Sequence, residues 1–340
     1  MSNFPTLNSQ ETSLQSPLDI ETKTYIANLN QLACLIVSGQ DARSFLQGQV
    51  TCDMNAITLH HSLPGAHCTN KGRAVFTFRA IQLPPSLNDQ KSDSDELNIA
   101  LVIPKELIDI AFKALSKFIV FSKATLQITE DYKMLGVFGK NSANVFESIQ
   151  NAKTDTQEIS LIRIQDNQII LLGKESAVDK ILTSQEVARN TDFSDWQLAN
   201  IRNGIADIYS GTSELFLPQM LNFDNNKGIS YNKGCYIGQE IVARMHHKGK
   251  LKRHLRRVSL SNCHNPPLPG NDVYSAQSSQ SIGHIVISES IGPDSFEALI
   301  IVTDDAFGSQ KIYLDQEKTL NLHPLSLPYA INNEDPSNLA

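Results

Sequence analysis

The texture of this 340-residue chain changes once, near Lys250, and that change limits the fold more than any single motif. Ahead of it, short apolar runs alternate with segments of helical spacing. Behind it, short β-like runs are punctuated at Pro266-Pro267, Pro269-Gly270 and Gly292-Pro293, with 282–288 and 298–303 the clearest strands. Interleaved strands and helices build layered α+β units, whereas a series of short strands closes as a small barrel. A C-terminal β-barrel domain over 245–330 is therefore expected behind an α+β body.

The body reads as two successive mixed units, 19–130 and 131–244. In the first, a strand at 32–37 is followed by Ser38-Gly39-Gln40-Asp41, which opens a short helix through Phe45 and Leu46. A hairpin with arms 65–69 and 73–83 turns at Asn70-Lys71-Gly72. A strand at 97–103 leads to Pro104, which suits the first turn of a helix carrying Leu107, Ile110, Ala111, Ala114, Leu115 and Phe118 on one side. A strand at 124–128 ends the unit. The second repeats the outline: strand 134–138, helix 143–149, hairpin 161–164 with 169–172, helix 177–182. A capped helix over 194–204 follows, holding Trp196, the single tryptophan, and stopping at Gly204. Residues 1–18 read as a loose polar tail and 84–96 as a mobile surface loop.

Composition narrows the class. With 41% apolar and 19% charged residues the chain reads as an ordinary soluble globular protein, and no apolar run approaches a membrane span. The N-terminus has neither the basic start nor the apolar centre of a secretory signal. Five cysteines without a Cys-x-x-Cys pair argue against a disulfide framework and against a metal site, and point to a reducing cytoplasm. His60, His61 and His67 have no ligand-like spacing and read as structural. The net charge of −7 is uneven. Arg244, Lys248, Lys250, Lys252, Arg253, Arg256 and Arg257 fall in a stretch, 241–271, that has no acidic residue; elsewhere 22 bases face 36 acids. Such a strip can attract a polyanion such as RNA locally, or blunt an exposed strand edge.

The strongest chemical signal is Lys233-Gly234-Cys235, a cation, a pivot and a thiol in succession. Just beyond, Ile237, Ile241, Val242 and Met245 recur at helical spacing up to a stop at Gly249. Cys235 is thus expected near a helix N-terminus and beside an ammonium, both of which favour thiolate and can lower a thiol from about 8.5 toward neutrality.

Written KGCYxGQE, residues 233–240 resemble the signature of the YgfZ family, folate-binding proteins related to the glycine-cleavage T-protein. Residues 45–51, 67–73, 117–123 and 196–257 also resemble family segments in family order, and 243–249 is similar to a run in mitochondrial iron–sulfur assembly factors. The resemblance covers roughly 30–305. It implies two mixed α/β units around a central channel plus a C-terminal barrel, a tetrahydrofolate-type ligand, and a role in iron–sulfur assembly and tRNA modification. Carried over by position, Cys235 matches the functional cysteine, Lys233 its neighbouring base, and Trp196 an aromatic in folate contact; Gln239 and Arg244 are assigned to the ligand as well. Two positions depart from the pattern. Leu32 stands where a second tryptophan can occur, and Arg202 stands where T-protein relatives carry a glutamate suited to the pterin ring. A cation cannot accept the pterin's donor hydrogens, so modest folate affinity is expected.

Three functions from different classes fit these residues. The preferred one is a folate-dependent accessory factor that serves iron–sulfur proteins through the Cys235 thiolate, with folate, iron–sulfur client or assembly proteins, and tRNA as partners. A folate-dependent aminomethyl-type transferase is disfavoured because the hairpin segment 72–78 has no carboxylate to steer charge at a reacting nitrogen. An RNA-binding module is disfavoured because the strip 244–257 lacks aromatic residues on which bases could stack.

Overall fold

The computed structural model describes residues 18–87, 97–151, 158–184, 188–309 and 311–331. The first unit contributes β1 (Thr24–Asn28), β2 (Leu32–Ser38), α1 (Ala42–Gln47), β3 (Leu63–Cys68), β4 (Ala74–Gln82), β5 (Asn98–Pro104), α2 (Ile108–Ile119) and β6 (Thr125–Thr129). The second contributes β7 (Tyr132–Gly139), α3 (Ser142–Asn151), β8 (Ile159–Gln165), β9 (Gln168–Lys174), α4 (Glu175–Ser184) and β10 (Ala188–Thr191). Two five-stranded sheets result, ordered β3-β4-β5-β2-β6 and β10-β1-β7-β9-β8.

The sheets lie face to face, and the sequence shows why. In β2 the alternate residues Ala33, Leu35 and Val37 pack toward α1 and α2, while Cys34 and Ile36 pack toward the second sheet. β7 does the same, with Met134 and Phe138 facing the first sheet and Leu135 and Val137 facing α3 and α4. Strands buried on both faces need continuous apolar runs, as 32–37 and 134–138 have.

Helix α5 (Phe193–Asn203) runs through the centre and ends at Gly204, whose φ of 66° places it in the left-handed region suited to glycine. Helix α6 (Gln239–Lys248) then leads into β11 (Arg253–Ser261), β12 (Asp272–Ser275), β13 (Gly283–Gly292), β14 (Ser295–Thr303), α7 (Asp304–Ser309), β15 (Ile312–Tyr313) and β16 (Asn321–Leu325). The six strands close in the order β11-β14-β13-β12-β15-β16, so the expected barrel is present.

The structure departs from expectation in three places. Strand β1, which sequence numbering groups with the first unit, pairs with β7 and β10 in the second sheet. Pro104 closes β5, and a 3₁₀ turn at Lys105–Leu107 precedes α2. That turn changes the phase of the helix. The buried stripe is Ile108, Ala111 and Leu115, while Ile110 and Phe118 are exposed. In the segment expected as a mobile loop, Pro85–Leu87 form a turn whose Leu87 packs between the sheets; the tail residues 1–17 and the remainder of that loop, 88–96, lie outside the described residues.

Candidate functional site

Three of the family-like segments converge around Cys235. The turn that carries it is fastened to the loop after α1: Ser230 N–H donates to Thr51 O at 2.9 Å, and the Thr51 hydroxyl donates to Gly228 O at 2.6 Å. Gly238, with φ 83°, precedes α6, and a Cβ there would stand 2.5 Å from Thr69 O in the β3–β4 turn. Only glycine allows this approach. From the other side, Gly72 abuts the Ile241 side chain of α6. Cys235 itself is exposed, whereas Cys34, Cys52, Cys68 and Cys263 are buried. Burial pushes the Cys34, Cys52 and Cys68 thiols up to about 12, so they are inert neighbours at neutral pH.

Lys233 does a different job from the one its position in sequence implies. Its Nζ donates to Val50 O at 2.7 Å and to Cys52 O at 2.6 Å, and it lies 5.2 Å from the centre of the Tyr236 ring. Burial pushes this ammonium down to about 8, with Cys52 and Asp53 partly opposing. The lysine therefore ties the Cys235 turn to the loop after α1. Its charge is engaged there, which corrects the expectation of an ammonium dedicated to the thiol.

The basic strip divides in two. Arg244, Lys248, Lys250 and Lys252 are exposed. His254 and Arg256 are buried instead, with His254 Nδ1 2.8 Å and Arg256 Nη2 3.0 Å from Asp304 Oδ1. Arg257 Nη2 lies 2.6 Å from Glu297 Oε2, and Arg202 Nη2 lies 3.0 Å from Oε1 of the same carboxylate. These arginines are internal clamps, so the strip is shorter than the sequence implies. An aromatic component that the sequence reading missed also appears here: Tyr231 and His246 stack with ring centres 3.8 Å apart, and His247 packs edge-on. The signal was absent because Tyr231 lies outside the strip and reaches it only through the fold.

The second candidate feature is a cavity of ≈ 50 Å³ between the sheets, lined by Leu32, Phe78, Arg79, Trp196, Asn200 and Asp207, among others. Trp196 lies where a cleft between the first two units was expected, but it is only 2% exposed and sits edge-on to Phe138 at 5.6 Å. A Cβ on Gly136 would stand 2.3 Å from its ring, so the indole is a close-packed core residue with one side on the cavity. Gln239 and Arg244 do not line this cavity. Neither does Arg202, which is turned to the barrel through Glu297 and donates to Leu18 O at 3.0 Å.

The hairpin's missing carboxylate arrives from another element. Asp207 Oδ1 accepts a hydrogen bond from the Thr77 hydroxyl at 2.9 Å, and Thr77 also accepts from Ile208 N–H at 2.8 Å. Burial raises the Asp207 carboxyl above its ordinary value although Thr77 and the Arg79 charge pull it down. Local spacing could not show this, because residues 77 and 207 meet only when α5 crosses the sheet. Among the described residues no group of three His, Cys, Asp or Glu could hold a metal ion, and no helix is long and apolar enough to cross a membrane.

Two facing mixed sheets followed by a closed barrel define the fold class of the aminomethyltransferases. The crystal structure of glycine cleavage system aminomethyltransferase T from Bartonella henselae matches with a TM-score of 0.66 over 92% of this chain and 87% of that one, at 14% identity. No family model matches the chain. The tRNA-modifying protein YgfZ of Colwellia psychrerythraea is 33% identical over 264 residues, 75% of this chain and 77% of the relative. That of Photobacterium profundum is 27% identical over 97% of this chain and 99% of the relative. The chain belongs to the YgfZ family.

Proposed function

We propose that the chain supports tRNA modification as an accessory protein whose working group is the Cys235 thiol. The observation that carries this reading is the single exposed cysteine on a glycine-built turn, against four buried ones, in a chain similar to tRNA-modifying proteins. A soft thiolate can hold iron or sulfur transiently or enter redox exchange, so iron–sulfur client or assembly proteins are the fitting partners. The test is complementation. Cells lacking the protein are expected to lose modified nucleosides from their tRNA, and Cys235→Ser is expected to leave that loss unrepaired. Full restoration by the serine variant would overturn the role of the thiol.

A reduced folate belongs to the same proposal, held between the sheets. The lining suits a flat ring with a polar edge: an indole and Leu32 for the face, and Asp207, Asn200 and Gln197 for hydrogen bonds. When bound, the folate would supply one-carbon chemistry. The enclosed ≈ 50 Å³ is small against the ~300 Å³ or more of ordinary ligand pockets, so side chains must give way on binding. Affinity on the order of micromolar or weaker is expected. Folate should quench the single indole saturably, and Trp196→Phe should weaken binding. Trp196→Ala is unsuitable because emptying this core position costs about 3–5 kcal/mol. Calorimetry without saturation at millimolar folate would remove the cofactor.

One observation favours a second reading, folate-dependent one-carbon transfer. Asp207 places a carboxylate against the very hairpin that has none of its own. If Asp207→Asn abolishes tRNA modification while folate binding persists, transfer chemistry is supported; if both functions persist, Asp207 is structural.

A further inference from the structure

A second cavity, of ≈ 140 Å³, lies beside the C-terminal half of α6 and is lined by Gln219, Asn222, Asp224, Met245, Leu251 and His254, among others. It does not belong to the Cys235 turn or to the space between the sheets. Three of its side chains are at least nine-tenths buried, and each keeps one polar atom without a hydrogen-bond partner among the described residues: Gln219 Oε1, Asn222 Oδ1 and His254 Nε2.

Their other ends fix what these atoms are. Gln219 Nε2 donates to Val242 O at 2.7 Å, and Asn222 Nδ2 donates to Leu255 O at 3.3 Å. A carbonyl only accepts, so the free ends of both amides are oxygens. His254 Nδ1 faces Asp304 Oδ1 at 2.8 Å, and Arg256 reaches the same oxygen at 3.0 Å. Burial raises the Asp304 carboxyl, but its bonds to His254 and Arg256 outweigh this and hold it low. The ionised carboxylate takes the Nδ1 proton, which leaves the Nε2 of the neutral ring as an acceptor. Asp224, which accepts from the Tyr231 hydroxyl at 2.6 Å, adds negative charge to the same wall.

Three buried acceptors and a carboxylate beside apolar Met245 and Leu251 suit a ligand with several donors, positive charge and a short alkyl stem. We infer that this cavity is a binding site for a primary alkylammonium group, whose three N–H donors match Gln219 Oε1, Asn222 Oδ1 and His254 Nε2. The group could belong to a free amine or to a lysine side chain. Water, at about 30 Å³ a molecule, is the competing occupant.

The test is calorimetric titration of the full chain with n-butylamine, spermidine and Nα-acetyl-lysine amide, with 1-butanol as the neutral control. Saturable binding of an ammonium at about 1 mM or below, with none of butanol, is the expected result. A preference for acetyl-lysine amide identifies a protein lysine as the natural occupant, and a preference for the free amines identifies a metabolite. Asp224→Asn and Gln219→Met should each weaken binding at least tenfold while the melting temperature stays near that of the parent. Asn222 is left unchanged because its φ of 57° would strain most replacements. Equal binding of butanol, no binding of any amine, or full retention of affinity in both variants would each overturn the proposal and leave the cavity to water.

Discussion

Burial and two backbone carbonyls together determine how Lys233 behaves with pH. Its ammonium is pushed down to about 8 in the fold, against an ordinary value near 10.5. Between these two values the unfolded chain holds the proton more tightly than the native one, so stability from this group rises with pH across the window. Below about pH 8 the charged form carries its full desolvation cost. Urea unfolding of the parent and of Lys233→Met at pH 7 and pH 10 should show the parent gaining relative to the variant at the higher pH. An unchanged difference would mean that Lys233 is not buried as described. Two residues on, Cys235 is the one exposed thiol. Maleimide should label one cysteine per native chain, at Cys235, and all five only after unfolding. Rapid native labelling at Cys52 or Cys68 would contradict the packing of the loop after α1.

At the scale of elements, α5 is held to the barrel by one buried carboxylate between two guanidinium groups. Glu297 on β14 meets Arg202 of α5 and Arg257 of β11. Removing one arginine leaves the other to neutralise the carboxylate; removing both leaves a buried, unpaired charge. Arg202→Met and Arg257→Met should each cost about 1–3 kcal/mol. The double variant should exceed their sum by about 1 kcal/mol or more in a double-mutant cycle, and strict additivity would deny the shared clamp. This clamp also shows where sequence reading stops. The strands and helices were legible because Ala33 to Val37 or Leu161 to Leu172 carry their own periodicity. The role of Arg202 was not, since its partner lies 95 residues away on another unit. The same holds for Asp207 and Thr77, 130 residues apart. Cys235 was legible as a site because glycines and a cysteine stand together in sequence. The engagement of Lys233 was hidden, because Val50 and Cys52 reach it only through tertiary packing.

Across the whole molecule, the strand that joins the first unit to the second is the first one in the chain. β1 lies between β10, to which it is parallel, and β7, to which it is antiparallel. Its Tyr25 and Ala27 pack between the sheets and its Ile26 packs beneath α3 and α4. Deleting residues 1–28 should therefore unfold the second sheet rather than trim an end. The expected result is insoluble expression or loss of cooperative melting, whereas deleting 1–17 should be tolerated. A soluble, cooperatively melting chain without β1 would show that β7 and β10 can close the gap unaided. The placement of β1 also sets a schedule for synthesis. At translation rates of roughly 5–20 residues per second, β1 leaves the ribosome some five to twenty seconds before β7. β10 arrives later still. The sheet made by β2 to β6 can form in that interval, so the nascent chain carries a finished layer beside an unpaired strand. Until its partners emerge, that strand is the part of the molecule most in need of a chaperone.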